Sequence, residues 1–239
     1  MAFAADGQLD PRIPVVITCI GKKRSGKSVL ARVLFCSWPG DRVIIDPNGH
    51  DGPIEGTVPM PDPVPKRWPE HLREDARRPL ILRYVPDPAS PTFVEDMDDV
   101  IGLASAHGDT MVLVHEMGLL APSGQTPPHT RRALHQGRHR RLSLIMCAPR
   151  PVTMDPLVLA QSDLVYVFKL PNPADRRRVA EVIGWDPSDL DAAVHGLAAH
   201  EYLRYDDAAP EPEETGANLK LLHFPALPDD VVRRGERAE

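Results

Sequence analysis

A chain of 239 residues is long enough to bury a full core and lies within the range one α/β domain uses. Its 42% hydrophobic and 26% charged residues match soluble globular proteins and exclude a disordered or membrane-spanning chain. The net charge of -6 excludes a protein that coats nucleic acid with its whole surface, though not one with a local basic face.

No apolar run approaches the ~18 to 20 residues needed to cross a bilayer, and Asp6 and Asp10 stand where a secretion signal would be basic. A cytoplasmic location without a membrane anchor is therefore expected. Residues 1–12 read as an N-terminal arm, 13–205 as the folded domain, and 206–239 as an acidic, Pro-rich loop with a terminal strand and tail. Cys19, Cys36 and Cys147 fall in apolar segments without close metal-type spacing, so they read as small buried hydrophobes in a reducing compartment.

Ile13 to Ile20 is a short β-branched run that predicts a buried parallel strand. From Lys27 to Ser37 the spacing of Val29, Leu30, Val33 and Leu34 predicts a helix, stopped by Pro39-Gly40. Arg42 to Asp46 is the next strand and runs into Asp-Pro-Asn-Gly, a turn signal. Pro47 to Pro79 reads as a surface excursion with a short helix near Pro69 to Arg77. Leu80 to Val85 predicts a strand, Thr92 to His107 a helix, and Met111 to Glu116 a buried strand with a polar end.

A loop at Pro122 to Pro128 precedes a basic helix over about Thr130 to Arg140, and Leu142 to Cys147 and Leu164 to Lys169 are further strands. Helices follow over Pro173 to Ile183 and near Pro187 to His195, then strands at Glu201 to Tyr205 and Leu219 to Phe224 around the loop Ala208 to Thr215. Strands alternating with helices predict a parallel sheet covered on both faces.

The chemistry centres on Gly21, Lys22, Lys23, Arg24, Ser25, Gly26, Lys27 and Ser28, a full Walker A pattern between the first strand and the first helix, with Val29 next in the helix. Glycines let backbone N–H groups wrap around a phosphate, and the helix start adds its positive dipole end. Lys27 is expected to reach the β- and γ-phosphates of ATP, and the Ser28 hydroxyl to hold Mg²⁺. Hydrolysis also needs a carboxylate at the end of a neighbouring strand to activate water. Glu116 fits that role, preceded by His115 where an Asp is usual, and imidazole is a poor ligand for a hard cation. Asp46 is an alternative carboxylate or a turn-initiating residue.

No acidic residue lies between Glu116 and Asp155, while Arg131, Arg132, Arg138, Arg140, Arg141 and Arg150 do, so one face or edge is expected to be strongly positive. Arg131, Arg132, Arg140 and Arg141 suit either DNA phosphates or a subunit interface beside the nucleotide. Arg176, Arg177 and Arg178 read as the wet face of a helix, and His135 with His139 as a solvated pair.

This order of motifs resembles the FtsK-HerA superfamily of P-loop DNA-pumping ATPases, which includes conjugative coupling proteins and viral genome-packaging ATPases. The resemblance spans about Ile13 to Tyr205 and rests on the Walker A segment, His115-Glu116, Gly137-Arg138, and Ala148-Pro149-Arg150-Pro151. It implies a RecA-like α/β P-loop NTPase fold, with a mostly parallel central sheet flanked by helices on both faces. It further implies an ATP- and Mg²⁺-dependent motor on double-stranded DNA, acting in viral packaging or plasmid transfer. A homo-oligomer, typically a hexameric ring, and a portal, capsid or secretion partner are implied too, in the host cytoplasm or associated with the virion.

Arg138 matches the family's arginine finger, which enters the neighbouring subunit's site; the alternative is a solvated basic helix. Pro149 replaces the family's γ-phosphate-sensing Gln and cannot donate a hydrogen bond. Other readings of the sequence are an assembly ATPase of phage morphogenesis acting on protein, a nucleotide-binding subunit with disabled hydrolysis, and a small-molecule kinase.

Overall fold

The computed structural model describes residues 13–49, 54–209 and 221–231. The expected arm and the end of the tail lie outside the described residues. One sheet of nine strands runs in the order β3-β4-β2-β5-β6-β1-β7-β8-β9. Its strands are β1 (Val16–Ile20), β2 (Asp41–Ile45), β3 (Thr57–Pro59), β4 (Ile81–Tyr84), β5 (Thr110–Val114), β6 (Leu142–Ala148), β7 (Leu164–Val167), β8 (Tyr202–Asp206) and β9 (Leu221–Phe224). From β3 to β7 every pairing is parallel.

Alternate residues of the central strands feed two cores, which is why these strands read as continuous apolar runs. Ile17, Cys19, Ile44, Leu113 and Ile145 pack under helix α1 (Lys27–Ser37), against its Leu30 and Phe35. Val16, Ile20, Val43, Val112, Leu144 and Val165 face the other way. Met97, Val100 and Ile101 of α2 (Phe93–His107) cover this side, together with α4 (Pro128–Gln136), α6 (Pro173–Ile183) and α7 (Pro187–Gly196). Two one-turn helices, α3 (Met117–Leu120) and α5 (Pro156–Ala160), complete the set and are too short for periodicity to reveal.

The sheet is mostly parallel, as expected, and reverses at one end, where β8 is antiparallel to β7 and to β9. The reason is a count of turns. Two helices, α6 and α7, separate β7 from β8, so the chain returns to the edge it left and must run down the sheet instead of up it.

The excursion Pro47 to Pro79 contributes the edge strand β3, with Pro59 at its end, where a missing N–H does no harm. The helix expected near Pro69 to Arg77 is only a 3₁₀ turn, Glu70–Leu72. The excursion is fastened by Trp68 stacked on His107 at 4.4 Å and by Asp41, which accepts from Arg73 (2.6 Å), Leu80 N–H (2.9 Å) and His107 (2.9 Å). Burial pushes the Asp41 carboxyl up, but these bonds outweigh it and hold it below its ordinary value.

The basic segment differs from expectation in the same way. Its helix ends at Gln136, and Gly137–Arg140 form a 3₁₀ turn, because the Gly137 backbone lies against Leu142, where an added Cβ would sit 3.3 Å from the Leu142 carbonyl. Buried Asp98 of α2 fixes the start of α4 by accepting from His129 N–H (2.9 Å), Thr130 N–H (2.7 Å) and the Thr130 hydroxyl (2.6 Å). Arg176 is not part of a wet face. It is buried and donates to Asp191 and to the carbonyls of Leu170 and Pro171, while Arg177 is exposed as expected.

Two stability predictions follow from these contacts. Asp98→Ala leaves the α4 amides without their acceptor, and thermal unfolding is expected to show a loss of about 2 kcal/mol or more, a fall of roughly 4–8 °C for a domain this size. Asp41 has a depressed folded-state value, so its stabilisation is complete above the ordinary carboxylate range and fades as pH falls through the folded value. Asp41→Asn is therefore expected to destabilise the chain at neutral pH and to differ less from the parent in acid, as read from unfolding midpoints across pH.

Candidate functional site

The loop between β1 and α1 lies at the C-terminal edge of the parallel strands. Two backbone bonds fasten its start to the neighbouring strands: Gly21 N–H to Ala148 O (3.2 Å) and Lys22 N–H to Lys169 O (3.1 Å). The chain then turns through Arg24 (φ 62°) and Gly26 (φ 101°) before entering α1. Gly21 admits no side chain, because its Cβ would lie 2.5 Å from Phe168 Cβ and 2.7 Å from Ser25 Oγ. Lys22, Lys23 and Arg24 are exposed, whereas Ser25 and Lys27 are buried.

Ser25 Oγ is buried with no hydrogen-bond partner among the described residues. Such an orphan is costly unless a ligand satisfies it. Together with two glycines whose places a Cβ would crowd, an ammonium held under the loop and a helix start, the site has the chemistry of a polyphosphate cradle. Ser28, half-buried in the first turn of α1, presents a hydroxyl of the kind a hard cation takes, and Val29 follows it.

Glu116 lies on the same edge. Strand β5 ends at Val114, so His115 and Glu116 belong to the turn beyond it, and Glu116 begins α3 in the left-handed region at φ 56° and ψ 53°. A non-glycine residue there is strained, and such strain gathers at working sites. Strand β6 separates β5 from β1, which puts Glu116 two strand spacings, roughly 10 Å, across the sheet from the loop.

His115 is buried beside Cys147: Val114 pairs with Met146, so the next residues are neighbours, and Cys147 in turn pairs with Cys19. His115, Cys147 and Cys19 form one row across three strands beneath Lys27. The S–H of Cys19, donated to Cys147, is the main cause that pulls the Cys147 thiol below its ordinary value, with His115 and Lys27 contributing against burial. Cys19 is correspondingly pushed up. Cys19 and Cys147 are buried as expected, whereas Cys36 is only partly buried. The row joins residues 128 positions apart, and only the strand register brings them together.

Asp46 begins a turn, accepting from Gly49 N–H at 3.1 Å, and its buried carboxylate is paired with Arg83 at 2.6 Å. Pro149 follows β6 directly, and the half-exposed Arg150 beside it is held by Asp175 at 3.2 Å.

Arg138 is not on this edge. Its 3₁₀ turn precedes β6, and its guanidinium is paired with Asp163, whose other oxygen accepts from Val16 N–H at 2.8 Å at the start of β1. The length of β6, Leu142–Ala148, or about 20 Å, separates it from the loop of its own chain. Arg140 and Arg141 are exposed beside it, and Arg131, Arg132, His135 and His139 are exposed along α4 and its 3₁₀ turn. Arg141 pairs with Asp109, and Arg131 donates to Thr126 O at 3.4 Å.

No family model matches the sequence. Over 134 residues the chain is 28% identical to the DNA packaging ATPase P9 of Enterobacteria phage PRD1, covering 53% of each, so it spans about half the length of the curated relative it matches. Among solved structures it is similar to the genome packaging NTPase B204 of Sulfolobus turreted icosahedral virus 2 in complex with AMPPCP, at TM-score 0.63 and 19% identity over 92% of this chain and 100% of that one. It is also similar to VirB4 of Thermoanaerobacter pseudethanolicus, at TM-score 0.61 and 12% identity over 98% of this chain and 97% of that one. The fold is the expected α/β P-loop NTPase fold, and the resemblance to the FtsK-HerA group holds in that fold. Among the described residues no helix is long and apolar enough to cross a membrane.

The loop geometry makes a direct prediction. Gly21→Ala forces a methyl group into Phe168 and Ser25, and overpacking of this kind costs about 1–3 kcal/mol. Titration with a fluorescent ATP analogue is expected to show affinity weakened about tenfold or more, with the far-UV spectrum unchanged.

Proposed function

We propose that this chain is an ATP-hydrolysing motor that moves or packages double-stranded DNA as a homo-oligomer, with a hexameric ring as its working form. The observation that carries the reading is the pairing of a polyphosphate cradle, with buried Lys27 and orphaned Ser25 Oγ, and a strained Glu116 on the same sheet edge. The similarity to packaging ATPases favours DNA over the alternatives of protein assembly, small-molecule phosphorylation and a disabled binding subunit.

In this reading the amides of the loop and Lys27 hold the β- and γ-phosphates of ATP. Glu116 takes the proton of the attacking water as its oxygen bonds to the γ-phosphorus and the bond to the ADP oxygen breaks. Magnesium, when bound, draws negative charge from the phosphate oxygens, and the Ser28 hydroxyl is the protein oxygen placed to hold it. Asp46, paired with Arg83, and His115, beside Cys147, are engaged within the protein. Arg138, too far from its own loop, stabilises the transferring phosphoryl group of a neighbouring copy. The exposed Arg131, Arg132, Arg140 and Arg141 contact DNA phosphates, which gives the sequence-independent grip a tracking motor needs. A portal or capsid protein is the natural partner of such a ring.

Lys27→Ala is expected to abolish both ATP binding and turnover, whereas Glu116→Gln keeps binding and loses turnover by a factor on the order of 10² to 10⁴. ATP turnover is further expected to rise with the length of added duplex DNA before levelling off, because a moving motor spends ATP along its track. Steady-state phosphate release measures both. Turnover indifferent to DNA at every length would contradict the motor, and an unaffected Lys27→Ala variant would remove the ATP site itself.

A further inference from the structure

Two free cysteines lie beneath the phosphate loop, and nothing in the nucleotide chemistry uses them. Cys19 of β1 and Cys147 of β6 are Cα partners in the parallel register, and their side chains enter the same core, under α1. Partners on adjacent parallel strands stand about 4.8 Å apart, inside the range of Cα separations that a disulfide spans. Cys19 gives its S–H to Cys147, so the two sulfurs already face each other, and His115 flanks Cys147 on its other side. A thiol set between a second thiol and an imidazole, with the Lys27 ammonium nearby, is in the surroundings that make sulfur nucleophilic. Cys36 is more exposed, but it belongs to α1 and lies outside this row.

Joining the two sulfurs would be felt in the loop. A disulfide holds its Cβ atoms about 3.8 Å apart, about 1 Å less than the strand spacing, so the bond draws β1 and β6 together at this level. The next partners along the strands are Ile20 and Ala148, and the Ala148 carbonyl is the acceptor that fastens Gly21. Gly21 has no slack, since Phe168 and Ser25 already occupy the space where its side chain would be. A contraction one residue below it therefore moves the start of the cradle.

We propose that Cys19 and Cys147 are a redox pair, which hydrogen peroxide converts to a disulfide that weakens the hold of the loop on nucleotide. Peroxide is little larger than water, as an oxidant must be to reach thiols that are 0% and 1% exposed. The Cys147 sulfur attacks one peroxide oxygen, the O–O bond breaks, and the departing hydroxide leaves as water with the thiol proton, giving a sulfenic acid. The Cys19 sulfur then attacks the Cys147 sulfur, and the sulfenic hydroxyl leaves as a second water with the Cys19 proton. The two thiols lose two electrons in all, and one peroxide is reduced to two waters. The effect on nucleotide rests on the ATP reading of the loop; the cross-link does not.

The test treats the full chain with hydrogen peroxide, digests it without reductant and maps the peptides by mass. Affinity for a fluorescent ATP analogue is measured before treatment, after it, and after dithiothreitol. The expected product is a linked pair of peptides carrying Cys19 and Cys147, two hydrogens lighter than their sum. Affinity is expected to fall about tenfold or more and to return with dithiothreitol. Cys19→Ser, which keeps a donor toward Cys147, forms no link and holds its affinity through the same treatment. Recovery of Cys19 and Cys147 as free thiols while Cys36 is oxidised would overturn the pair. A linked chain that binds the analogue like the reduced one, or an equal loss in Cys19→Ser, would overturn the effect on nucleotide. A reduced Lys27→Ala chain that binds like the parent takes away the ATP site and that effect with it, whereas the linked mass is read without nucleotide.

Discussion

The constraint on which the rest of the structure depends is the close approach of one loop to its neighbouring strands. Gly21 and Lys22 give their N–H groups to the carbonyls of Ala148 and Lys169 at the ends of the flanking strands, with the Phe168 side chain beneath. These bonds hold the loop on the sheet edge, so that the next residues turn upward and deliver Lys27 to the start of α1. Both flanking strands must end level with β1 for this to work, and the parallel register of β6 and β7 on β1 provides that. The site is therefore a property of the sheet as much as of the loop.

A parallel sheet has two unlike edges, and this chain uses both. The phosphate loop and Glu116 gather at the C-terminal edge, while Arg138 lies at the N-terminal edge, anchored through Asp163 to the first amide of β1. A single copy cannot bring the two together across the length of β6. In the proposed oligomer two copies can, if the Arg138 edge of one faces the phosphate edge of the next, a heterologous contact of the kind from which rings are built.

Much of this was legible in the sequence because the signals are local. The Walker A spacing, the β-branched run before it and the helical spacing after it sit within about 25 consecutive residues, and the structure reproduces α1 over Lys27–Ser37. Local signals fail where geometry is set from afar. The strand Thr57–Pro59 is stabilised by pairing with β4 and by the Trp68–His107 stack, not by its own pattern. The reversal of β8 follows from the paired helices before it. The row of His115, Cys147 and Cys19 exists only through register. Arg176, one of three consecutive arginines, is buried because carbonyls and Asp191 meet it there, which no charge pattern foretells.

Since the reading joins opposite edges of the sheet in neighbouring copies, the most direct measurement mixes two crippled chains. Glu116→Gln and Arg138→Ala subunits, each inactive alone, are combined and assayed for ATP turnover as a function of their ratio. The account predicts that activity reappears in the mixture and peaks near equal amounts, because some interfaces then pair an intact Glu116 with an intact Arg138. Turnover that stays at the sum of the two separate chains at every ratio would contradict it.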